Sequence, residues 1–452
     1  MHPALVRHLI YPLHERLCKR STFSYLRDLE ASQSLSRAEV EALQLRKLAA
    51  LLRVCRDHSP WHAERIAAAG VAAGDETSIG FDDLRRLPLM DKADASANRE
   101  RIVWHGVPGG AFRYTTGGSS GAPLIFYYGR DRQAADAASR MRARRWWGIE
   151  VGEPEVFLWG APVELSKNDR IKRLRDRLVN QLLLNAFEMS AAAMDDYIEA
   201  IRSYRPTCIY GYASSLALLA SHAEARGKSL RVPSLKVVCT TGESLFPDQR
   251  DIIGRVFGVP VANEYGARDC GLMAHESPAG QMLVMSESIL LEVLDPDGQP
   301  VVPGQTGEAV VTGLCSRAQP FIRYRTGDMV TLSDQPCAGG RGLHVIETVQ
   351  GRKTDFVIRS DGTVMHALAI IYVLREMNEV AQFKFIQHEL RRAEALVVPR
   401  GDWNEAATQR VVAGVQARLG ADCAVEVTLM DAIAPEASGK YRYVVSHAKL
   451  PF

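Results

Sequence analysis

The run Tyr114-Thr-Thr-Gly-Gly-Ser-Ser-Gly-Ala-Pro123 sets the hydroxyls of Thr115, Thr116, Ser119 and Ser120 among Gly117, Gly118 and Gly121, directly before the apolar stretch Leu124-Ile-Phe-Tyr-Tyr128. Glycines let the backbone approach an anion closely, and exposed N–H and hydroxyl groups donate to it without bulk, so the chemistry this loop suits is the holding of phosphate. A plain Gly/Ser turn has the same composition. The loop is not a Walker loop, since Gly121 is followed by Ala122 and Pro123 rather than by the lysine and hydroxyl that such a loop needs.

Four further segments carry carboxylates and cations suited to a nucleotide. They are Asn263-Glu-Tyr-Gly-Ala-Arg-Asp-Cys-Gly271, Pro320-Phe-Ile-Arg-Tyr-Arg-Thr-Gly-Asp-Met-Val330, Gly351-Arg-Lys-Thr-Asp-Phe-Val-Ile358 and Ser438-Gly-Lys-Tyr-Arg442. In this order and at these separations they resemble the adenylate-forming superfamily of acyl-CoA synthetases, and within it the compact branch of phenylacetate-CoA ligase-like and capsule-locus adenylating proteins. The stretch from Leu45 to Gly70, leading into Leu87-Pro-Leu-Met-Asp-Lys92, resembles that branch's opening.

The resemblance implies a role for each position. The loop Thr115 to Gly121 would cradle the β- and γ-phosphates of ATP. Asp269 stands where the family carries a magnesium-binding glutamate; aspartate keeps the hard oxygen ligand and shortens the reach by one methylene. Asp328 matches the aspartate that accepts from both ribose hydroxyls, for which two carboxylate oxygens are well suited. Gly242, Glu243, Asn263, Glu264, Tyr265 and Gly266 would surround adenine and ribose, with Arg352 at the domain boundary. Lys440 matches the adenylation lysine, whose ammonium neutralises charge building between the acid and the α-phosphate. Tyr210, Tyr212, Ala213 and Thr241 would line the pocket of an aryl or other flat apolar acid. Thr354 occupies the hinge position, where the family usually has aspartate or lysine, and Ser360-Asp-Gly-Thr-Val-Met-His366 departs from the usual thioester-forming loop.

The implied reaction is activation of a carboxylic acid by ATP and magnesium, followed by transfer to a thiol, most simply that of coenzyme A. A carrier-protein phosphopantetheine or an amine remains open as acceptor, and so does a nucleotide-binding partner protein that has lost turnover.

The elements that must position these residues alternate in kind. Helical patterns cover 36 to 70, 131 to 148 and 191 to 204, and strands are expected at Glu155 to Trp159, Thr207 to Tyr210, Leu235 to Thr240 and Val259 to Asn263. That alternation predicts an α/β fold whose large N-terminal domain, 1–350, has mostly parallel sheets with helices. The texture turns to antiparallel β from about 281 to 347, a β-rich subdomain. After Gly351-Arg352 a new rhythm of helix and strand predicts a small mobile α+β C-terminal domain, 351–452.

Composition narrows the class. With 46% hydrophobic residues over 452 positions the chain can build several cores, and a formal net charge of +2 gives no reason to expect nucleic acid. Arg140, Arg142, Arg144 and Arg145 form a basic run that a helix would spread around its axis, which reads as a solvated face. Eight scattered cysteines without a Cys-x-x-Cys suit a reducing cytoplasm, where ATP and coenzyme A are found. No run approaches the ~18 apolar residues of a membrane span.

Overall fold

The computed structural model describes residues 1–72, 79–116, 124–160, 175–186, 189–350, 356–433 and 443–448. These fall into two compact units. The first consists of the described residues of Met1–Thr116, Leu124–Glu153 and Ala262–Arg352; the second, of those of Pro154–Val261 and Lys353–Phe452.

In the first unit, seven strands form an antiparallel sheet in the order Ile289–Leu294, Thr306–Gly313, Tyr324–Ser333, Val345–Gln350, Met282–Val284, Gly271–Glu276 and Val261–Ala267. The turn Asp295-Pro-Asp-Gly298 forms because the Asp295 Oδ1 accepts from the backbone N–H of Asp297 at 2.9 Å and of Gln299 at 2.8 Å. Beside this sheet a hairpin pairs Ala111–Thr115 with Ile125–Gly129. The helix Arg37–His58 opens on a capping box, in which Ser36 and Glu39 exchange side-chain and backbone hydrogen bonds.

The long helix Arg130–Trp146 corrects the solvated reading of its arginines. Arg142 is buried and forms an ion pair with Glu287, which also accepts from Ser32 at 2.9 Å. Arg144 is buried too, with Nη1 3.1 Å from the His275 ring. A buried guanidinium is tolerable only when paired in this way. Composition could not distinguish this outcome, because the pairing carboxylate lies 145 residues away.

In the second unit, Gln181–Asn185, Glu155–Trp159, Cys208–Gly211 and Val237–Thr240 form parallel ladders, as the strand-helix alternation predicts. The helices Ala191–Tyr204, Ala213–Ala225 and Pro247–Phe257 share one core with these strands. Ala213–Ala225 is buried on nearly every side, the pattern of a fully covered helix. A separate core is built from the C-terminal stretch. Its strands Val380–Glu389 and Arg392–Pro399 pair antiparallel and alternate strictly, with Phe383, Phe385, Ala393, Ala395 and Val397 inward. Val411, Val415 and Leu419 of helix Glu405–Leu419 close that core from one side.

Candidate functional site

The first unit brings two of the expected carboxylates together with two phenols. Strands Val261–Ala267 and Gly271–Glu276 make a hairpin with Asp269 in its turn. Strand Tyr324–Ser333, separated from this hairpin in the sheet by Val345–Gln350 and Met282–Val284, carries Asp328 beyond Gly327, which takes a positive φ of 74°. The Tyr324 hydroxyl donates to Asp269 Oδ2 at 2.8 Å, and the Tyr265 hydroxyl donates to Asp328 Oδ2 at 3.1 Å. Both tyrosines are buried in the same apolar cluster. Burial first, and then the Asp328 carboxylate, hold the Tyr265 hydroxyl protonated well above the usual phenol range, so it stays a donor. Each carboxylate is thereby fixed in direction by one oxygen.

Helix Arg130–Trp146 holds the Asp269 turn from its other side. Arg132 donates through Nη2 to the Arg268 carbonyl at 2.7 Å and lies 5.3 Å from the ring of Tyr128, on the strand that follows the Gly/Ser loop. Gly271 has φ +86°, and a Cβ there would sit 2.4 Å from Asp136 Oδ1, so only glycine lets the hairpin close against this helix. Burial raises the Asp136 carboxyl, opposed by Arg132 and Arg140. Strand alternation separates two neighbours that the sequence grouped: Tyr265 meets Asp328, while Glu264 is buried and lies 3.7 Å from Arg140. The Asn263 backbone N–H donates to Glu276 at 2.8 Å, and at Gly266 the hairpin register shifts in a bulge.

The described ends of the Gly/Ser loop are closed by the hairpin ladder. Thr115 pairs with Ile125, the Thr116 N–H donates to the Leu124 carbonyl at 3.0 Å, and the Leu124 N–H donates to Thr116 Oγ1 at 2.9 Å. The Thr116 hydroxyl thus pins the base of the loop.

The second unit gathers the aromatic residues Trp159, Tyr210 and Tyr212 at the carboxyl ends of its parallel strands, where α/β sheets gather ligands. Trp159 stacks on Tyr212 with centroids 4.1 Å apart at 14°, and Tyr210 lies 5.8 Å from Trp159 and 5.5 Å from Phe157. The Thr241 N–H donates to the Gly211 carbonyl at 3.0 Å. Gly242 has φ +81°, and a Cβ there would press to 3.1 Å from the Tyr212 ring. Ala213 is fully buried, and Glu243 accepts from the Ser214 N–H at 2.5 Å, capping the first turn of helix Ala213–Ala225.

Gly117, Gly118, Ser119, Ser120, Gly121, Arg352, Thr354 and Lys440 lie outside the described residues. Three contributors escaped sequence reasoning. Tyr324 stood in a quoted motif four residues before Asp328, and that spacing is a usable signal; Arg132 and Trp159 carried none.

The α/β and antiparallel framework that holds this carboxylate pair is shared with known proteins. A family described as AMP-binding enzyme matches residues 183–316, and a family described as the CapK C-terminal domain matches residues 357–447. Protein CapK of Staphylococcus aureus is 20% identical over 375 residues, 82% of this chain and 82% of that protein. The phenylacetate-coenzyme A ligase of Aromatoleum evansii is 25% identical over 356 residues, 73% of this chain and 74% of that one. The solved 2-hydroxyisobutyryl-CoA ligase in complex with 2-HIB-AMP and CoA in the thioesterification state has the same fold, with a TM-score of 0.62 and 21% identity over 93% of this chain and 92% of that chain. The chain thus contains a segment that matches AMP-binding enzymes and is similar along most of its length to CapK and to phenylacetate-coenzyme A ligases.

Proposed function

We propose that this enzyme joins a flat apolar carboxylic acid to AMP, with release of pyrophosphate, and then passes the acyl group to the thiol of coenzyme A, with release of AMP. The observation that carries the reading is the pair Asp269 and Asp328, each oriented by a buried phenol. Asp328 would hold the ribose diol. Asp269 fits magnesium: its carboxylate, turned by the Tyr324 hydroxyl, is a hard oxygen donor, and this ion is commonly held by one or two carboxylates together with substrate phosphates. Magnesium, when bound there, supplies neutralisation of phosphate charge.

The Gly/Ser loop would hold the β- and γ-phosphates, and Gly242, Glu243, Asn263, Tyr265, Gly266 and Arg352 the nucleoside end. Lys440 would stabilise charge where the acid oxygen bonds to the α-phosphorus and the pyrophosphate oxygen departs. The stack of Trp159 and Tyr212, with Tyr210 beside it, favours an aryl acid. Residues 351–452 would act as a lid that pivots at Thr354, in a cytoplasmic enzyme. A second reading transfers the acyl group to an amine or a carrier-protein thiol; the departure of Ser360-Asp-Gly-Thr-Val-Met-His366 from the usual thioester-forming loop favours keeping it.

ATP–pyrophosphate exchange across a panel of aryl and aliphatic acids tests the first half-reaction without presuming an acceptor. Exchange with at least one aryl acid, and a thioester only when coenzyme A is added, is the expected result. Lys440→Ala should lower exchange by a factor on the order of 10²–10³ while conversion of supplied acyl-adenylate persists. Absence of exchange with every acid refutes the reading.

A further inference from the structure

Residues Pro3 to Leu17 form a continuous helical rod whose outward face the proposed reaction does not use. Helix Pro3–Leu5 runs through a π-helical turn, Val6–Ile10, into helix Tyr11–Leu17. Met1, Leu5, Leu9, Leu13 and Leu17 recur at every fourth position and are 50, 45, 58, 52 and 75% exposed. On an uninterrupted α-helix a four-residue repeat drifts about 40° per step. The π turn, in which the Tyr11 N–H bonds back to the Val6 carbonyl, takes up an extra residue and keeps the leucines nearer one face. Single exposed leucines are ordinary, but a row of them on an ordered helix marks a contact surface.

The opposite face is firmly docked, so the leucines are not exposed through loose packing. Val6 is fully buried against Gly152, where a Cβ would sit 2.8 Å from that of Val6. Arg7 Nε donates to the Val151 carbonyl at 3.1 Å, and Tyr11 meets Phe23 edge-on at 5.9 Å. Glu15, buried, accepts from Arg20 and Thr22.

The charge around the row selects its occupant. Glu15 is the single acidic residue among the first 27, and it is buried and paired, whereas Arg16, Lys19 and Arg27 are exposed. A leucine row on a helix whose own accessible charges are basic, its one acid being buried, is complementary to a surface that is apolar inside and anionic at its boundary. We infer that this helix lies flat in the headgroup region of an anionic lipid bilayer and holds the enzyme at the membrane surface. No helix among the described residues is long and apolar enough to cross a membrane, so the contact is interfacial.

Flotation of the full chain with lipid vesicles tests this. The protein should float with vesicles of phosphatidylcholine mixed with phosphatidylglycerol, float far less with phosphatidylcholine alone, and be released by salt, since screening shortens to about 3 Å at 1 M. Leu9→Ser combined with Leu13→Ser should weaken partitioning by about a hundred-fold, near ten-fold per leucine, with pyrophosphate exchange unchanged. Arg16→Glu with Lys19→Glu, on solvent-exposed positions, should abolish the preference for anionic lipid. Failure to float with either vesicle, or equal flotation of the leucine variant, overturns the inference. Dimerisation in lipid-free solution that the leucine variant abolishes, without vesicle binding, assigns the face to a second copy instead and equally overturns it.

Discussion

Asp269 and Asp328 in the first unit are aimed by hydrogen bonds from buried phenols, whereas Trp159, Tyr210 and Tyr212 in the second are placed by ring stacking and by a glycine pressed close to one ring. The two constructions respond differently to change. A hydrogen bond to a carboxylate has a direction, and its loss frees the group to rotate or leaves a buried donor unsatisfied. A stacked wall has a volume, and altering it changes which guest fits. The carboxylate region should therefore set whether nucleotide chemistry occurs, and the aromatic region which acid undergoes it.

The largest effect that could break this contrast is at Asp269. Asp269→Asn should lower MgATP-dependent exchange by about a hundred-fold and raise the magnesium concentration required, while Asp269→Glu retains more activity than Asn. Binding of magnesium-free AMP should barely change. Unaltered magnesium dependence in Asp269→Asn would show that the residue is not a ligand.

Tyr324→Phe isolates the direction of the carboxylate from its presence. Removing the hydroxyl that donates to Asp269 at 2.8 Å should cost about ten-fold in exchange and shift the magnesium requirement in the same sense as Asp269→Asn, by less. The wall responds otherwise: Trp159→Leu should change the ranking of acids by about ten-fold in kcat/KM and leave the KM for ATP near its original value. A uniform loss for all acids would place Trp159 among the groups required for chemistry.

The smallest effect concerns the framework behind the carboxylates. His62 Nε2 lies 3.0 Å from the carbonyl of Pro320, which opens the segment carrying Tyr324 and Asp328. Burial first, and then the Arg65 guanidinium, push the His62 imidazole down to about 3. The folded protein thus keeps this ring neutral while the unfolded chain takes up a proton below its ordinary value near 6.5. Stability is fully present above that value and falls as pH drops through the window toward 3, by at most about 1.4 kcal/mol per pH unit from this group. Urea titrations at pH 7 and pH 5 should show the loss, and His62→Gln should reduce it. An equal pH slope in the variant would assign the loss to other groups, such as His344, held down to about 4 chiefly by its own burial.

Much of the molecule was legible in advance because its signals are local. Glu155–Trp159 and Ala191–Tyr204 form at the residues their periodicity predicted. Apolar spacing and helix caps act within a few residues and need no knowledge of the fold. Arg323 shows where that legibility ends. It sits inside the motif with the carboxylates, yet it takes a left-handed φ of 51° and binds Glu292 at 3.0 Å and the carbonyls of Arg85 and Leu87, a bracing role that no spacing announces.

The sequence by itself determined the Gly/Ser composition of the loop Thr115 to Gly121, the order of Asp269, Asp328 and Lys440 along the chain, and the alternation that makes parallel strands in one region and antiparallel strands in another. Only the tertiary structure decided that Tyr324 serves Asp269 across 55 positions and Tyr265 serves Asp328 across 63, that Arg142 pairs with Glu287, and that a row of leucines faces outward. The physical reason is range: propensity and periodicity act over a turn or a pleat, whereas a buried polar group takes its partner from whichever element the fold packs against it, however distant in sequence.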